Sequence, residues 1–195
     1  INSINWARLM AQIVYFFWAY LQLEKREKVS FIVPSGNFGN IFSAHAAHQM
    51  GLPIEKLHIV TNKNDILNQI ILLGKMKIDK VLETYSPSMD IQISSNFERQ
   101  IFESVNYDSI AVEKIMNKFK NDREYEFDES IIKKFQKIYN STSVSNEKTL
   151  ETIKKFKEKY NYLADPHTAT GLSVLDNIKA DHSFISLACA HPAKF

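Results

Sequence analysis

The chain carries 195 residues, 45% of them apolar and 24% charged, with a formal net charge of +2. That balance supports a buried core and gives no electrostatic pull toward nucleic acid or a membrane surface; no block of basic residues interleaved with aromatics is present. The single cysteine, Cys189, excludes an internal disulfide framework and fits a reducing compartment.

No charged stretch followed by an apolar run and a small-residue cleavage site opens the chain, so no signal peptide is expected. Asn5 is placed to cap a helix from Trp6 to about Leu23, ended by the charged run EKREK. Its most apolar part, residues 13–21 (IVYFFWAYL), lies between Gln12 and Gln22 and is too short to span a bilayer, which takes about 20 apolar residues. Apolar nearly all round, it reads as a buried core helix, and a chain that opens on such a helix suggests further sequence upstream. Residues 29–33 (VSFIV) suit a strand buried on both faces, stopped by Pro34. A glycine-punctuated turn, PSGNFGN, leads into a helix over residues 41–50 that Gly51 ends. Residues 57–61 read as a second strand, followed by a helix over 65–73, with Asp65 as its cap, and then Gly74. Strand, helix and strand in some thirty residues make a βαβ unit with a parallel crossover.

From Ser86 the texture changes. The turn-rich SPSMDIQISSN precedes charged amphipathic helices expected near 97–105, 108–120, 128–140 and 147–160, the last with Leu150, Ile153 and Phe156 on one face. Acidic and basic residues alternate there, as on solvated faces. Asp165, Pro166 and His167 open another helix with proline at its first position, and residues 182–189 return to a strand. The expected fold class is α/β, a parallel sheet flanked by helices, with a helical insertion. Residues 1–85 and 163–195 belong to the sheet domain and 86–162 form the insertion.

The turn after the first strand carries the chemistry. A helix start presents unpaired N–H groups and a positive dipole end, and glycines let the backbone approach closely and adopt positive φ, so successive amides converge on one anion such as phosphate. The loop is no Walker A motif, since no Gly-Lys-Ser/Thr follows. Gly36 and Gly39 give GxxG rather than the dinucleotide GxGxxG. Taken by itself, the pattern fits a tight strand-to-helix connection equally well. His45 and His48 share a helix face and His58 lies beyond, but no Cys/His spacing of a structural zinc site accompanies them, so no metal is expected.

In this order, NSINWARLMAQ, VPSGNFGN, GLPI, TNKND, SPSMDIQISSN, DPHTATG and AHPAKF resemble the threonine synthase family, pyridoxal-phosphate enzymes of fold type II with a tryptophan-synthase-β-like fold. The resemblance runs from Asn2 to Phe195 and is loosest over 97–160. It implies that Ser35, Gly36, Asn37, Phe38, Gly39 and Asn40 hold the 5′-phosphate of pyridoxal phosphate, mostly through backbone N–H groups. It also places Cys189 where the family usually has a hydroxyl residue facing the pyridine nitrogen, and a thiol is the weaker donor. Asn5, Arg8, His167 and His191 are candidate substrate contacts. The Schiff-base lysine of the family is expected upstream; Lys194 is not in its context, and the end at Phe195 falls short of a further helix. The chain therefore resembles the C-terminal portion of a cytoplasmic enzyme. The activity implied for the intact protein is conversion of O-phospho-L-homoserine and water to L-threonine and phosphate, and this portion is expected to be inactive alone. Its partners are then that substrate and the N-terminal portion, with neither nucleic acid nor membrane. Rival readings are a phospho-lyase of the same fold, a non-catalytic phosphate-binding domain, and a scaffold whose turn binds nothing.

Overall fold

The computed structural model describes residues 5–178 and 181–195; residues 2–4 of the first motif lie outside them. Helix α1, Trp6–Leu21, is capped by Asn5, whose Oδ1 accepts the Ala7 N–H at 2.9 Å. It buries one stripe, Leu9, Ile13, Phe16 and Tyr20, and leaves Trp6, Met10, Val14, Tyr15 and Trp18 exposed. The expectation of a helix buried all round is thus corrected: α1 packs on one side only, against the next helix.

Strand β1 (Val29–Pro34), helix α2 (Gly39–Gln49) and strand β2 (Ile54–Thr61) form the expected βαβ unit, β1 lying parallel beside β2. Pro34 is the last residue of β1, in register with Val60, rather than the first beyond it. Helix α3, Ile66–Leu73, ends at Gly74 in the left-handed region at φ 70°, and Gly51 takes φ 102° after α2, both as placed from sequence.

The next stretch is less helical than its charge pattern suggests. Strands β3 (Lys75–Lys77) and β4 (Glu124–Glu126) pair antiparallel, with Lys75 opposite Glu126 and Lys77 opposite Glu124. They flank helices α4 (Phe97–Ser104) and α5 (Ser109–Asp122). Helix α6, Glu129–Ile138, stops before 140, because strand β5, Tyr139–Ser143, begins at once and pairs parallel with β2. Helices α7 (Asn146–Tyr160) and α8 (Pro166–Leu172) follow, and strand β6, Ser183–Ser186, pairs parallel with β1. The sheet order is β5-β2-β1-β6.

On α7 the buried side chains are Thr149 and Thr152, whereas Leu150 points outward. The inward threonines are satisfied by donating to the carbonyls of Ser145 and Lys148, at 3.0 and 2.7 Å, so they need no water.

All six residues of β1 are buried, as a strand covered on both faces requires. Alternate residues face opposite layers. Phe31 and Val33 join the main core with α1 to α6, to which Phe97, Ile101 and Phe135 also belong. Ile32 joins Val60, Val144 and Val174 on the other face. Since the strands run parallel, the loops after β1, β2, β5 and β6 emerge along one edge of the sheet, where open α/β sheets place their ligands.

Candidate functional site

The loop after β1 is tied down by its own polar side chains. The Ser35 N–H donates to the Val60 carbonyl at 2.9 Å, continuing the sheet by one bond. The Ser35 hydroxyl donates to Asn40 Oδ1 at 2.6 Å and accepts the Phe38 N–H at 3.1 Å. Asn40 Nδ2 donates to the Pro34 carbonyl at 2.7 Å, and its Oδ1 takes the Ile41 N–H at 3.0 Å. Asn37 Oδ1 accepts from the backbone and hydroxyl of Ser95, at 2.9 and 2.7 Å, which bolts the loop to the start of α4. These bonds leave the amides of Gly36, Asn37, Gly39 and Asn40 without an acceptor among the described residues. With the positive end of the α2 dipole behind them, they form a row of donors fitted to an anion.

The positive φ expected of the glycines falls elsewhere. Phe38, at φ 63°, makes the left-handed turn, and neither Gly36 nor Gly39 does. The ring of Phe38 repays the strain: it is fully buried, edge-on to Phe97 at 5.0 Å and to Tyr139 at 5.7 Å. Gly36 is required for space. A Cβ there would lie 2.9 Å from Met89 Cα and 3.2 Å from Met89 O, so the backbone of residues 86–91 rests directly on the loop.

That segment is held by a polar hub which sequence reading missed. Asp90 Oδ1 accepts from Asn62 Nδ2, Asn64 Nδ2 and the Thr84 hydroxyl at 2.7–2.9 Å, and Oδ2 accepts the Thr84 N–H at 3.0 Å. Asn62 and Asn64 follow β2, so the hub fastens residues 84–90 to the sheet edge. The signal was present as TNKND and SPSMD, polar runs at a strand end, but nothing local pairs them. Asp65 stands at the cap position of α3, yet its carboxylate takes the side chains of Gln69 and Asn68 rather than a backbone amide.

The opposite wall comes from α8 and the segment after β6. Asp165 caps α8, accepting the His167 N–H at 2.9 Å and the Thr168 N–H at 3.3 Å. It also accepts the Thr168 hydroxyl and the Ala190 N–H, and the Cys189 N–H donates to Thr168 Oγ1 at 2.8 Å. Burial alone would raise the Asp165 pKa, but the hydrogen bonds from Thr168 and His167 outweigh it and the carboxyl stays below its ordinary range. His167 Nδ1 donates to Asp165 Oδ1 at 3.0 Å, while Nε2 accepts the Ser88 N–H at 3.2 Å. An Nε2 that accepts the Ser88 N–H carries no proton, so the ring proton sits on Nδ1, and burial lowers the His167 pKa against the pull of Asp165. The Cys189 thiol is pushed up to about 12, first by burial and then by the Asp165 charge, although the residue opens onto the cavity. It is a neutral thiol at physiological pH.

Between these walls lies a cavity of about 230 Å³, lined by Ser35, Gly36, Asn37, Gly39 and Asn40 on one side, by Ser88 and Met89 above, and by His167 and Cys189 opposite. Gln12 of α1 also reaches it, but Asn5 and Arg8 do not line it, and no lysine does. His191 is exposed and caps the final turn, its Nδ1 accepting the Ala193 N–H at 3.2 Å. Larger hollows exist, about 610 Å³ between α4 and α5 and about 500 Å³ around His45, His48 and Glu103, but neither is lined by a glycine turn. His58 faces away from that second hollow, bonded to Thr142 at 2.8 Å. Among the described residues no group of three or more metal-capable side chains assembles, and no helix is long and apolar enough to cross a membrane.

No family model matches the chain. It is similar over its whole length to the threonine synthase of Saccharomyces cerevisiae, at 44% identity over 217 residues, covering 42% of that protein. It is likewise similar to the threonine synthase of Pseudomonas aeruginosa, at 41% identity, again covering 100% of this chain and 42% of the relative. The crystal structure of pyridoxal-phosphate-bound threonine synthase from Brucella melitensis matches with a TM-score of 0.95 at 43% identity, covering 100% of this chain and 42% of that one. The chain thus spans about 42% of the length of these relatives.

Proposed function

Since the chain belongs to the threonine synthase family, we propose that it is the C-terminal portion of a cytoplasmic pyridoxal-phosphate enzyme that converts O-phospho-L-homoserine and water to L-threonine and phosphate. The observation that carries the reading to this site is the row of unpaired amides at Gly36, Asn37, Gly39 and Asn40, facing a small cavity whose far wall ends in Cys189. The group fits on two counts: the donors match a phosphate monoester, and a side chain on Gly36 would displace the roof above them.

In this reading the four amides and Asn37 Nδ2 hold the 5′-phosphate. Ser35 and Asn40 act one step back, because their side chains bond each other and the loop, and Phe38 anchors the turn in the core. Cys189, which lines the cavity opposite the amides, would as a neutral thiol offer the pyridine nitrogen a weak donor. Pyridoxal phosphate, when bound, supplies an electron sink for charge developing at Cα and then Cβ of the substrate. The Schiff-base lysine would come from the portion of the enzyme that this chain does not include. Arg8, one helical turn before the cavity-lining Gln12, is placed near the substrate end, whereas Asn5 and His191 serve their own elements as caps.

The test uses the longest natural reading frame containing this chain, supplied with pyridoxal phosphate and O-phospho-L-homoserine, with phosphate and threonine assayed together. Equal amounts of both establish the synthase. Phosphate without threonine points to the phospho-lyase. Neither product, from a protein that retains no pyridoxal phosphate, overturns the cofactor reading.

A further inference from the structure

Residues 86–91 form the roof of the cradle, and two fasteners hold them. One is Asp90, bonded to Asn62, Asn64 and Thr84 at the end of β2. The other reaches across the cavity from α8: the Ser88 N–H donates to His167 Nε2 at 3.2 Å. His167 is 4% exposed, its Nδ1 proton is committed to Asp165, and its ring packs on Phe195 with centroids 4.6 Å apart. Both ring nitrogens are therefore engaged by protein, and no lone pair or N–H remains for a substrate. The same Asp165 holds Thr168 and Ala190, and Thr168 holds the Cys189 amide. One imidazole thus joins the roof over the phosphate loop to the wall that carries Cys189.

We propose that His167 is a positioning residue: through Nε2 it clamps the Ser88 amide, and with it the roof at Met89, onto the phosphate cradle. The inference rests on the cofactor reading above. It contrasts with the substrate contact that the sequence suggested for this residue. The clamp works on the Ser88 side of the ring, so the two amide replacements of histidine separate its functions. His167→Gln places an amide oxygen near the position of Nε2 and keeps an acceptor for Ser88. His167→Asn places its amide near Nδ1, keeping the donor to Asp165 and abandoning Ser88.

The experiment is a titration of the full-length enzyme and both variants with pyridoxal phosphate, followed by absorbance and fluorescence of the bound cofactor, with melting temperatures recorded alongside. Losing the acceptor that holds the Ser88 amide weakens cofactor binding in His167→Asn by about 10-fold, while His167→Gln stays within about 3-fold of wild type. At saturating cofactor, KM for O-phospho-L-homoserine is unchanged in both. Ser88→Pro removes the N–H together with the hydroxyl, and Ser88→Ala, which removes the hydroxyl alone, is its control: the proline variant reproduces the loss of the asparagine variant, and the alanine variant stays within about 3-fold of wild type, even if the asparagine variant is too unstable to titrate. Equal losses in the two variants, the reverse order, or a raised KM at saturating cofactor overturn the clamp while leaving the cradle intact. A wild-type enzyme that retains no pyridoxal phosphate overturns both.

Discussion

Gly36→Ala is the sharpest perturbation available at the cradle. The φ of Gly36 is outside the left-handed region, so alanine costs it no backbone strain, and only space is at issue. The added methyl would lie 2.9 Å from Met89 Cα, 3.2 Å from Met89 O and 3.3 Å from Ile91 Cδ1. The isoleucine tip can rotate away, but the Met89 backbone cannot move freely, because Asp90 and Ser88 on either side of it are fastened to β2 and α8. Overpacking at a site of this kind costs about 1–3 kcal/mol. Part of that strain appears in the folded apoprotein and part in the cofactor complex, since lifting the roof opens the row of amides. A share of 1.4 kcal/mol in the complex is a tenfold change in Kd. The expected result is a Kd for pyridoxal phosphate raised about 10-fold in the full-length enzyme, with a smaller loss in denaturant midpoint. Gly51→Ala is the control. At φ 102° with nothing within 4 Å, it suffers backbone strain without crowding, lowering stability by about 1–2 kcal/mol while leaving Kd alone. Titration and urea unfolding of the three proteins decide the matter. A Gly36→Ala enzyme that binds the cofactor as wild type does would refute the role of this contact in shaping the cradle.

Other outcomes follow from the core and from ionisation. Phe135 is fully buried against Phe97 and Phe127, at 5.3 and 5.6 Å, so Phe135→Ala should lower the unfolding free energy by about 3–5 kcal/mol; a loss below about 1 kcal/mol would mean that α6 does not share the main core. The Tyr139 hydroxyl bonds Gln100 Oε1 at 2.5 Å in the interior, and Tyr139→Phe should cost about 1–3 kcal/mol in urea unfolding with unchanged cofactor affinity. An altered affinity would instead tie β5 to the cradle. Burial lowers the pKa of His58, so below about 6.5 the unfolded chain takes up a proton that the native imidazole refuses. The stabilisation is present above that pH and is lost as pH falls through the native value. His58→Gln, which can keep a hydrogen bond to Thr142, should flatten the decline of stability as pH falls below about 6.5, and equal slopes for the two proteins would contradict the assignment.

Local chemistry made much of the fold legible. A run apolar apart from Ser30 and bounded by proline marked β1, Asn5 and Asp165 marked helix starts, and Gly51 and Gly74 marked helix ends. What failed to show was long-range. Tyr139–Ser143 is mostly polar and short, and reads as the tail of a helix; it is a strand because β2 offers an unpaired edge beside it. At the sheet edge only its first residue, Tyr139, is buried, so the rest of the strand carries no apolar pattern. The same holds for β3 and β4, three residues each, which pair only once the chain has brought Lys75 opposite Glu126.

The candidate site divides along the same line. The phosphate cradle is written in six consecutive residues, because a strand, a turn and a helix start are all local. The roof and the far wall are not. The Asp90 hub gathers Asn62, Asn64 and Thr84 over some thirty positions, and Asp165 gathers Ala190 from twenty-five away. In sequence Asp165 is a helix cap and no more, yet its carboxylate serves the cap, the histidine tautomer and, through Ala190, the segment after β6 that carries Cys189. Phe38 shows the converse: a turn that glycine would make without strain is assigned to a phenylalanine, because its ring fills the space between α4 and β5. Conformational cost at one residue is offset by burial among residues that sequence separates by some sixty to a hundred positions, and that exchange is decided only when the core closes.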